Sequence, residues 1–338
     1  MKALQISTPF KVNEVEIPDA VAGDGDVLLK MNYVGFCGSD LNTFRGINTM
    51  AKPEVIPGHE IGAEIVSAGR DVPSFLVPGM NVTVNPYTSC GICPSCRNRR
   101  PNACRNNETL GVQRDGAMRE YMAVPWEKVI PAENIDPMKT ALVEPMSVGF
   151  HAVSRAQVTD SDTVMVTGCG MVGLGAIVRS SLRGAKVIAA DIDDNKLEIA
   201  KGMGAEYALN TKSADFHERL MAITGDNGPD VVIEAVGSPV TYRLAVDEVA
   251  FSGRVICIGY SKDDVTFTTK LFVQKELDIR GSRNALPEDF KAVIKYLEKT
   301  ECDIDRLISR TVTFQDAGEA LSYWSEHPGN VFRILLKI

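Results

Sequence analysis

The chain has 338 residues, 44% hydrophobic and 24% charged, the balance of a soluble globular protein of roughly two domains. That composition excludes a collagen, a disordered tail and a disulfide-stapled miniprotein. Lys and Arg number 36 against 44 Asp and Glu, a formal net charge of −8, and the basic residues are scattered, so nucleic acid is a poor partner.

In chain order, Met1–Ser7 has no long apolar core and soon turns charged, unlike a secretory signal. Residues 27–34 read as a strand, and 58–69 contain another. Frequent Pro and Gly mark this part as β-rich. The pattern changes near Thr140. A helical stretch over 140–156 leads into buried-strand runs at 163–167, 186–190, 230–234 and 254–258, with helical segments between. That alternation predicts an α/β fold, a doubly wound parallel sheet beside the β-rich domain. After Pro287, the residues Phe290, Val293, Ile294 and Leu297 follow helical spacing. No helix follows the last strand, 331–338, which is expected to return to the first domain. The expected boundaries are 1–145, 146–285, and a returning segment 286–338. The most apolar long run, 164–178, is interrupted by Gly168, Gly170, Gly173 and Gly175. It is too short to span a bilayer comfortably, so no membrane partner and a cytoplasmic location are expected.

Gly168-Cys169-Gly170-Met171-Val172-Gly173 is G-x-G-x-x-G, placed after a strand run and at the start of a helix. Gly168 permits a tight turn, Gly170 lets backbone approach a pyrophosphate, and Gly173 lets helix and strand pack closely. The helix start, with Met171 and Val172, turns free N–H groups and a positive dipole end toward phosphates. Asp191 ends the second strand. Its carboxylate can accept from adenosine ribose hydroxyls and repel a 2′-phosphate, which favours NAD over NADP. Lys196 lies against the adenine or ribose edge, or is a solvated helix lysine. Val236-Gly237 and Ile258-Gly259 end parallel strands at the edge where ligands sit. They leave room for the nicotinamide half, or are ordinary strand-end glycines.

Of 8 Cys, four crowd into Cys90-x-x-Cys93-x-x-Cys96-x7-Cys104. Four soft ligands close a tetrahedral zinc site with no open position, which means structure rather than catalysis. An iron–sulfur cluster or free core thiols are the alternatives, and Gly91, Pro94 and polar neighbours argue against a core. A second, dispersed set is Cys37, His59, Glu60 and Glu144. One sulfur, one nitrogen and carboxylate oxygens make a metal site with a position open to substrate. A lone His in a glycine-rich turn is more often structural.

At these residues the chain resembles the zinc-dependent medium-chain alcohol/polyol dehydrogenase family, nearly end to end. Cys37-Gly38-Ser39-Asp40, Gly58-His59-Glu60, the four-cysteine lobe, Asp115-Gly116, Glu144-Pro145 and the glycine fingerprint occur in the family's order. The resemblance implies a GroES-like catalytic domain beside a Rossmann domain, with substrate in the cleft between them. It implies NAD and two zinc ions per chain, one catalytic and one structural. Cys37 and His59 would be catalytic zinc ligands, and Glu60 a ligand or an outer partner. Glu144 stands where many simple alcohol dehydrogenases carry Cys, as in the sorbitol, threonine and butanediol branches. Asp40 would orient His59 by a hydrogen bond. Zinc would lower the pKa of the substrate hydroxyl, Ser39 would hydrogen-bond that oxygen and pass its proton outward, and the carbon would give hydride to nicotinamide. A homodimer or homotetramer through Rossmann sheet edges is implied as well.

Two positions depart from the family pattern. Asn42 replaces a histidine that often finishes the proton relay, and Asn cannot titrate. Ala63 stands where Gly is usual, although Gly62 precedes it. The leading expectation is an NAD-dependent oxidation of a secondary hydroxyl of a polyol or sugar acid. Threonine or butanediol oxidation is the enzyme alternative, and a non-catalytic NAD-binding redox sensor the alternative of another class. Arg283 follows the strand run 277–281. In polyol dehydrogenases that this chain resembles an Arg at the matching place faces the substrate cleft. Its planar fork suits a carboxylate or paired hydroxyls. An ion pair with Glu60 or Glu144 is the competing role.

Overall fold

The computed structural model describes residues 1–300 and 303–338. They form two compact units, Met1–Glu144 with Leu286–Ile338, and Pro145–Ala285.

The first unit is built on strands β1 (Lys2–Thr8), β2 (Lys11–Glu16), β3 (Asp26–Gly35), β4 (Glu60–Ala68), β5 (Asn81–Val84), β6 (Tyr121–Pro125) and β7 (Val129–Pro131). β1 and β2 pair as a hairpin. β3 is the centre of the larger sheet. Its residues Val27, Leu29, Met31 and Val34 turn inward and are buried, the period-two pattern of a sheet with one face on a core. They pack with Ile61 and Ile65 of β4 and with Phe36 and Phe44. Gly62, rather than Ala63, is the position backbone approaches: a Cβ there would lie 2.1 Å from the Pro137 carbonyl. Ala63 is accommodated in the core, opposite Met31 and 1% exposed.

The 140–156 helical stretch is two helices, Pro137–Thr140 and Val143–Ala156. Asp136 caps the first, its Oδ1 accepting from Met138 N at 2.7 Å, with Pro137 in the first turn. That Asp-Pro start signal lies upstream of the stretch read from the sequence.

The second unit holds β8 (Thr163–Thr167), β9 (Lys186–Asp191), β10 (Tyr207–Asn210), β11 (Val231–Glu234), β12 (Arg254–Cys257) and β13 (Asp278–Gly281). All pair in parallel, in the order β10-β9-β8-β11-β12-β13. This is the Rossmann order, which reverses between β8 and β11, and ligands bind beyond the carboxyl ends of strands at such a reversal. Val164–Val166 and Val187–Ala190 are buried on both faces, as a helix-covered parallel sheet requires.

The chain then returns to the first unit. β14 (Arg310–Val312) pairs with β15 (Ile334–Lys337), and β15 runs antiparallel to β3, with Leu335 opposite Gly35.

Candidate active site and metal centres

Cys37 caps the helix Gly38–Phe44 with extended backbone. Asp40, in its first turn and 1% exposed, accepts from the Cys37 N–H through Oδ2 at 2.8 Å. Its Oδ1 has no partner. The expected Asp40–His59 hydrogen bond is therefore absent. The carboxylate turns instead to the backbone amide left open at the helix start, which is local and needs no rearrangement.

His59 and Glu60 stand at the entrance to β4. Gly58 before them has φ +105°, and a Cβ there would lie 2.7 Å from the Val34 side chain, so only glycine makes this turn. Asp115 supports the approach, accepting from Ile56 N at 3.0 Å and from Lys52 Nζ at 2.8 Å. Gly116 lets its loop lie on the Gly58 carbonyl, 2.3 Å from where a Cβ would be.

Glu60 is fully buried, and its Oε1 accepts from Arg333 Nη1 at 2.8 Å. The same nitrogen donates to the Phe36 carbonyl at 2.7 Å. Sequence reasoning missed Arg333, which lies 273 residues from Glu60; no spacing signal links them. Arg333 is the cation that pairs with Glu60. Arg283 is half-buried, two residues beyond β13 in the second unit. Gly35 faces Glu60 across the strand pair, and a Cβ on it would lie 2.2 Å from Glu60 Oε2. Gly35→Ala is expected to cost about 1–3 kcal/mol by overpacking, since Arg333 holds the carboxylate in place. Urea unfolding measures this, and an unchanged midpoint would contradict it.

The donor atoms of Cys37, His59 and Glu60 lie within 4.8 Å of one another. Glu144 is in the first turn of the helix Val143–Ala156 and falls outside that set. Its Oε1 accepts from the Tyr87 hydroxyl. Tyr87 is a second residue that the sequence gave no reason to select. His59 Nδ1 and Glu60 Oε2 are buried without a partner. Burial pushes the Asp40 carboxyl up to about 6 and that of Glu144 up to about 7. Burial opposes charge on His59, but Cys37, then Asp40 and Glu144, raise its pKa above the ordinary histidine value. Buried acids thus outnumber buried cations, and two donor atoms point at nothing. A sulfur, an imidazole and a carboxylate in that setting fit a zinc ion, with a coordination position to spare. Ser39 also has a buried Oγ without a partner, while Asn42 is half-buried.

The second cluster is Cys90, Cys93, Cys96 and Cys104. Sulfur separations are 3.5 Å for Cys93–Cys96, 3.8 Å for Cys93–Cys104 and 3.6 Å for Cys90–Cys104. A tetrahedron of sulfurs about 2.3 Å from a central zinc has edges of about 3.8 Å. Such gaps hold one ion and leave no room for an iron–sulfur cluster. Backbone N–H groups of Cys90 and Asn106 donate to Cys104 Sγ at 3.3 Å. Three of the four sulfur-bearing residues are only partly buried, so this is no ordinary apolar core.

In the second unit, Gly168 has φ +88° and closes the turn after β8. A Cβ on Gly173 would lie 1.8 Å from the Gly168 carbonyl, and one on Gly170 would meet nothing within 4 Å. The first glycine is required by turn and the third by packing, while the second faces open space. Met171 and Val172 open the helix Met171–Leu182, whose cap Gly170 offers no side chain to its amides. Those N–H groups stay available to an anion. Asp191 is already engaged: Oδ2 accepts from Cys169 N at 2.7 Å, and Oδ1 from Ile192 N at 2.7 Å and Asp193 N at 3.0 Å. Three amides occupy three of about four acceptor positions. Burial and then Asp191 push the Cys169 thiol up, and the Lys196 charge opposes them. Gly237 and Gly259 pack on each other, a Cβ on Gly259 lying 2.1 Å from Gly237 N. They serve the mutual approach of the loops carrying Val236 and Ile258. Glu234, which precedes them, accepts from Val236 N at 3.0 Å, Gly237 N at 2.8 Å and Thr241 Oγ1 at 2.7 Å.

Residues 23–134 match the family model of the alcohol dehydrogenase GroES-like domain, and residues 172–299 that of the zinc-binding dehydrogenase. An L-galactonate-5-dehydrogenase of Escherichia coli K12 is 33% identical over 310 residues, covering 92% of this chain and 90% of the relative. A sorbitol dehydrogenase of Halalkalibacterium halodurans is 29% identical, covering 95% of this chain and 94% of the relative. Among solved structures, an alcohol dehydrogenase from Escherichia coli CFT073 in complex with NADH superposes with TM-score 0.90 at 30% identity, over 100% of this chain and 99% of the other.

Proposed function

The chain belongs to the zinc-type medium-chain alcohol/polyol dehydrogenase family, and from that premise we propose that it moves a hydride from a secondary hydroxyl of a polyol or sugar acid to NAD. The observation carrying this reading is the set of half-buried Cys37 with buried His59 and Glu60, whose donor atoms lie within 4.8 Å of one another, with Glu60 Oε2 and His59 Nδ1 buried and unpartnered. Cys37, His59 and Glu60 would hold one zinc, and Cys90, Cys93, Cys96 and Cys104 the other. When bound, the first zinc supplies Lewis acidity that lowers the pKa of the substrate hydroxyl, and NAD supplies the hydride acceptor.

The chain's own groups do the rest. Ser39 Oγ has no protein partner and is free to take a hydrogen bond from the substrate hydroxyl and pass its proton on. Asn42 cannot titrate, so the proton leaves through water or through Glu60 or Glu144 rather than a histidine. Arg283 supplies a guanidinium fork for a substrate carboxylate, which is what favours a sugar acid over a plain alcohol. The open face of Gly170 and the N–H groups of Met171 and Val172 cradle the pyrophosphate. Among the described residues, no helix is long and apolar enough to cross a membrane.

The test is NADH formation across aldonates, hexitols, threonine and diols. Turnover of an aldonate or hexitol is expected, and Cys37→Ser should abolish it while the protein stays folded by circular dichroism. Turnover of threonine alone would displace the sugar reading, and no NADH from the zinc-loaded protein with any of them would sink it.

Asp191 governs the choice of cofactor. Asp191→Ser is expected to raise the KM for NAD roughly 10–100-fold, the scale of losing a charged hydrogen bond of about 1.5–3 kcal/mol. NADP use should improve less than charge removal alone would give, because the variant also loosens the glycine loop that Asp191 ties. Comparable kcat/KM for both cofactors in the unsubstituted enzyme would contradict the assignment.

A further inference from the structure

Glu234 closes β11 and is fully buried. Its Oε1 takes three donors, the N–H groups of Val236 and Gly237 and the Thr241 hydroxyl, and none of them is charged. Its Oε2 is buried without a partner. Its register partners in the sheet are Thr167 of β8 and Cys257 of β12, neither of them a cation. Buried charges are paired as a rule. This one is held by two amides and a hydroxyl converging on one oxygen, the hydrogen bonding that suits a carboxylate anion.

Its place in the sheet gives that charge something to act on. With adenosine at Asp191 beyond β9, and the pyrophosphate at the helix start after β8, the other half of the dinucleotide lies across the strand reversal, beyond β11. The loop that follows Glu234 packs on the glycine turn there. Ala235 N–H donates to the Thr167 carbonyl at 2.9 Å, and a Cβ on Gly168 would lie 2.6 Å from the Val236 side chain. The oxidised nicotinamide ring carries a positive charge, and the reduced ring carries none. The helix Pro239–Glu248 begins at this loop, and the partial positive charge of a helix start disfavours a cationic ring. A whole negative charge beneath the loop reverses that bias.

We infer that the Glu234 carboxylate, acting from beneath the Val236–Gly237 loop rather than by contact, favours binding of NAD over NADH. This rests on the dehydrogenase reading above. The same side chain also holds the loop, so two effects have to be told apart. Loop holding serves both forms of the cofactor alike, whereas the charge acts on the oxidised form alone. In the oxidative direction such a charge favours the form that accepts hydride and loosens the form that has taken it.

The experiment measures Kd on the full-length protein, for NADH by its fluorescence, and for NAD and ADP-ribose by displacement of NADH. It compares the unsubstituted chain with Glu234→Gln and Glu234→Asp. Gln leaves an oxygen for the three donors and removes the charge, so the fold is retained. Asp keeps the charge and loses reach. Glu234→Gln should raise the Kd for NAD about tenfold, the scale of a unit charge acting over about 10 Å at an effective dielectric constant of about 20. The Kd values for NADH and for ADP-ribose, which has no nicotinamide, should stay within about twofold. Glu234→Asp should weaken all three ligands together and keep the NADH-to-NAD ratio of the unsubstituted chain. An unchanged ratio in Glu234→Gln would overturn the inference, as would the same change of ratio in Glu234→Asp, because either result assigns Glu234 to loop holding alone. Binding of neither NAD nor NADH to the unsubstituted protein would instead overturn the dehydrogenase reading, and the inference with it.

Discussion

Cys96→Ser is expected to cost the protein one of two zinc ions and much of its thermal stability. The four sulfurs of the lobe stand at separations of 3.5–3.8 Å where these are measured, close to the edges of a filled tetrahedron. The segment between Cys90 and Cys104 has little else to hold it. Its elements are a four-residue helix, Pro94–Arg97, and a single 3-10 turn, Pro101–Ala103, and Ile92 is 76% exposed. Without an apolar core of its own, the lobe draws its order from the metal. Structural zinc binding supplies roughly 10–16 kcal/mol in apparent terms, and losing one thiolate forfeits a large share of it. Metal analysis should fall from two zinc ions per chain to one, with a lower melting temperature. Two zinc ions retained at an unchanged melting temperature would refute the assignment. Damage should also reach the candidate active site, because Tyr87 lies only three residues before Cys90 on the same loop.

Arg333→Leu is expected to destabilise the protein by about 3–5 kcal/mol, the scale of removing one partner from a buried ion pair. Glu60 is fully buried, and Arg333 is 7% exposed. Once the guanidinium is gone, the buried carboxylate loses the side chain that donates to its Oε1. The Phe36 carbonyl loses its donor in the same step. The double variant Arg333→Leu/Glu60→Gln should recover part of the loss, since the stranded charge is then removed as well. Urea unfolding of the three proteins measures the coupling. A loss below about 1 kcal/mol in Arg333→Leu would mean that the pair behaves like one on the surface.

What could be read from the amino-acid order followed the range of the forces involved. The strands of the parallel sheet, Val164–Val166 and Val187–Ala190 among them, announce themselves because burial on both faces demands unbroken apolar runs. The glycine fingerprint is legible because turn, open approach and close packing each forbid a side chain at a fixed spacing. β10 at Tyr207–Asn210 was not selected, being only four residues long and not an unbroken apolar run. The helix break near Thr140 was missed because the apolar pattern continues across it, while the deciding signal was the Asp136-Pro137 cap. Asp40 was expected on His59, but a side chain three residues from an open amide bonds locally first. Arg333 and Tyr87 were illegible for a different reason. Their roles arise from tertiary contacts, 273 and 57 residues away in the chain, and neither stands in a motif that names its partner.

The order of the strands also sets an order of events during synthesis. The nucleotide-binding unit is one continuous stretch, Pro145–Ala285, whereas the other unit needs both ends of the chain. β3 emerges among the first 35 residues, but its neighbour β15 is made of residues 334–337. Domains generally fold as units while the chain lengthens. Until residues 334–337 are made, therefore, the Tyr33–Gly35 end of β3 has an unpaired edge, while β6 covers Asp26–Lys30, and an unpaired edge of apolar strand is a template for pairing with another chain. A ribosome-stalled or C-terminally clipped product ending before Ile334 should hold a folded nucleotide-binding unit joined to an aggregation-prone half. The unit that begins first on the ribosome is the one completed last.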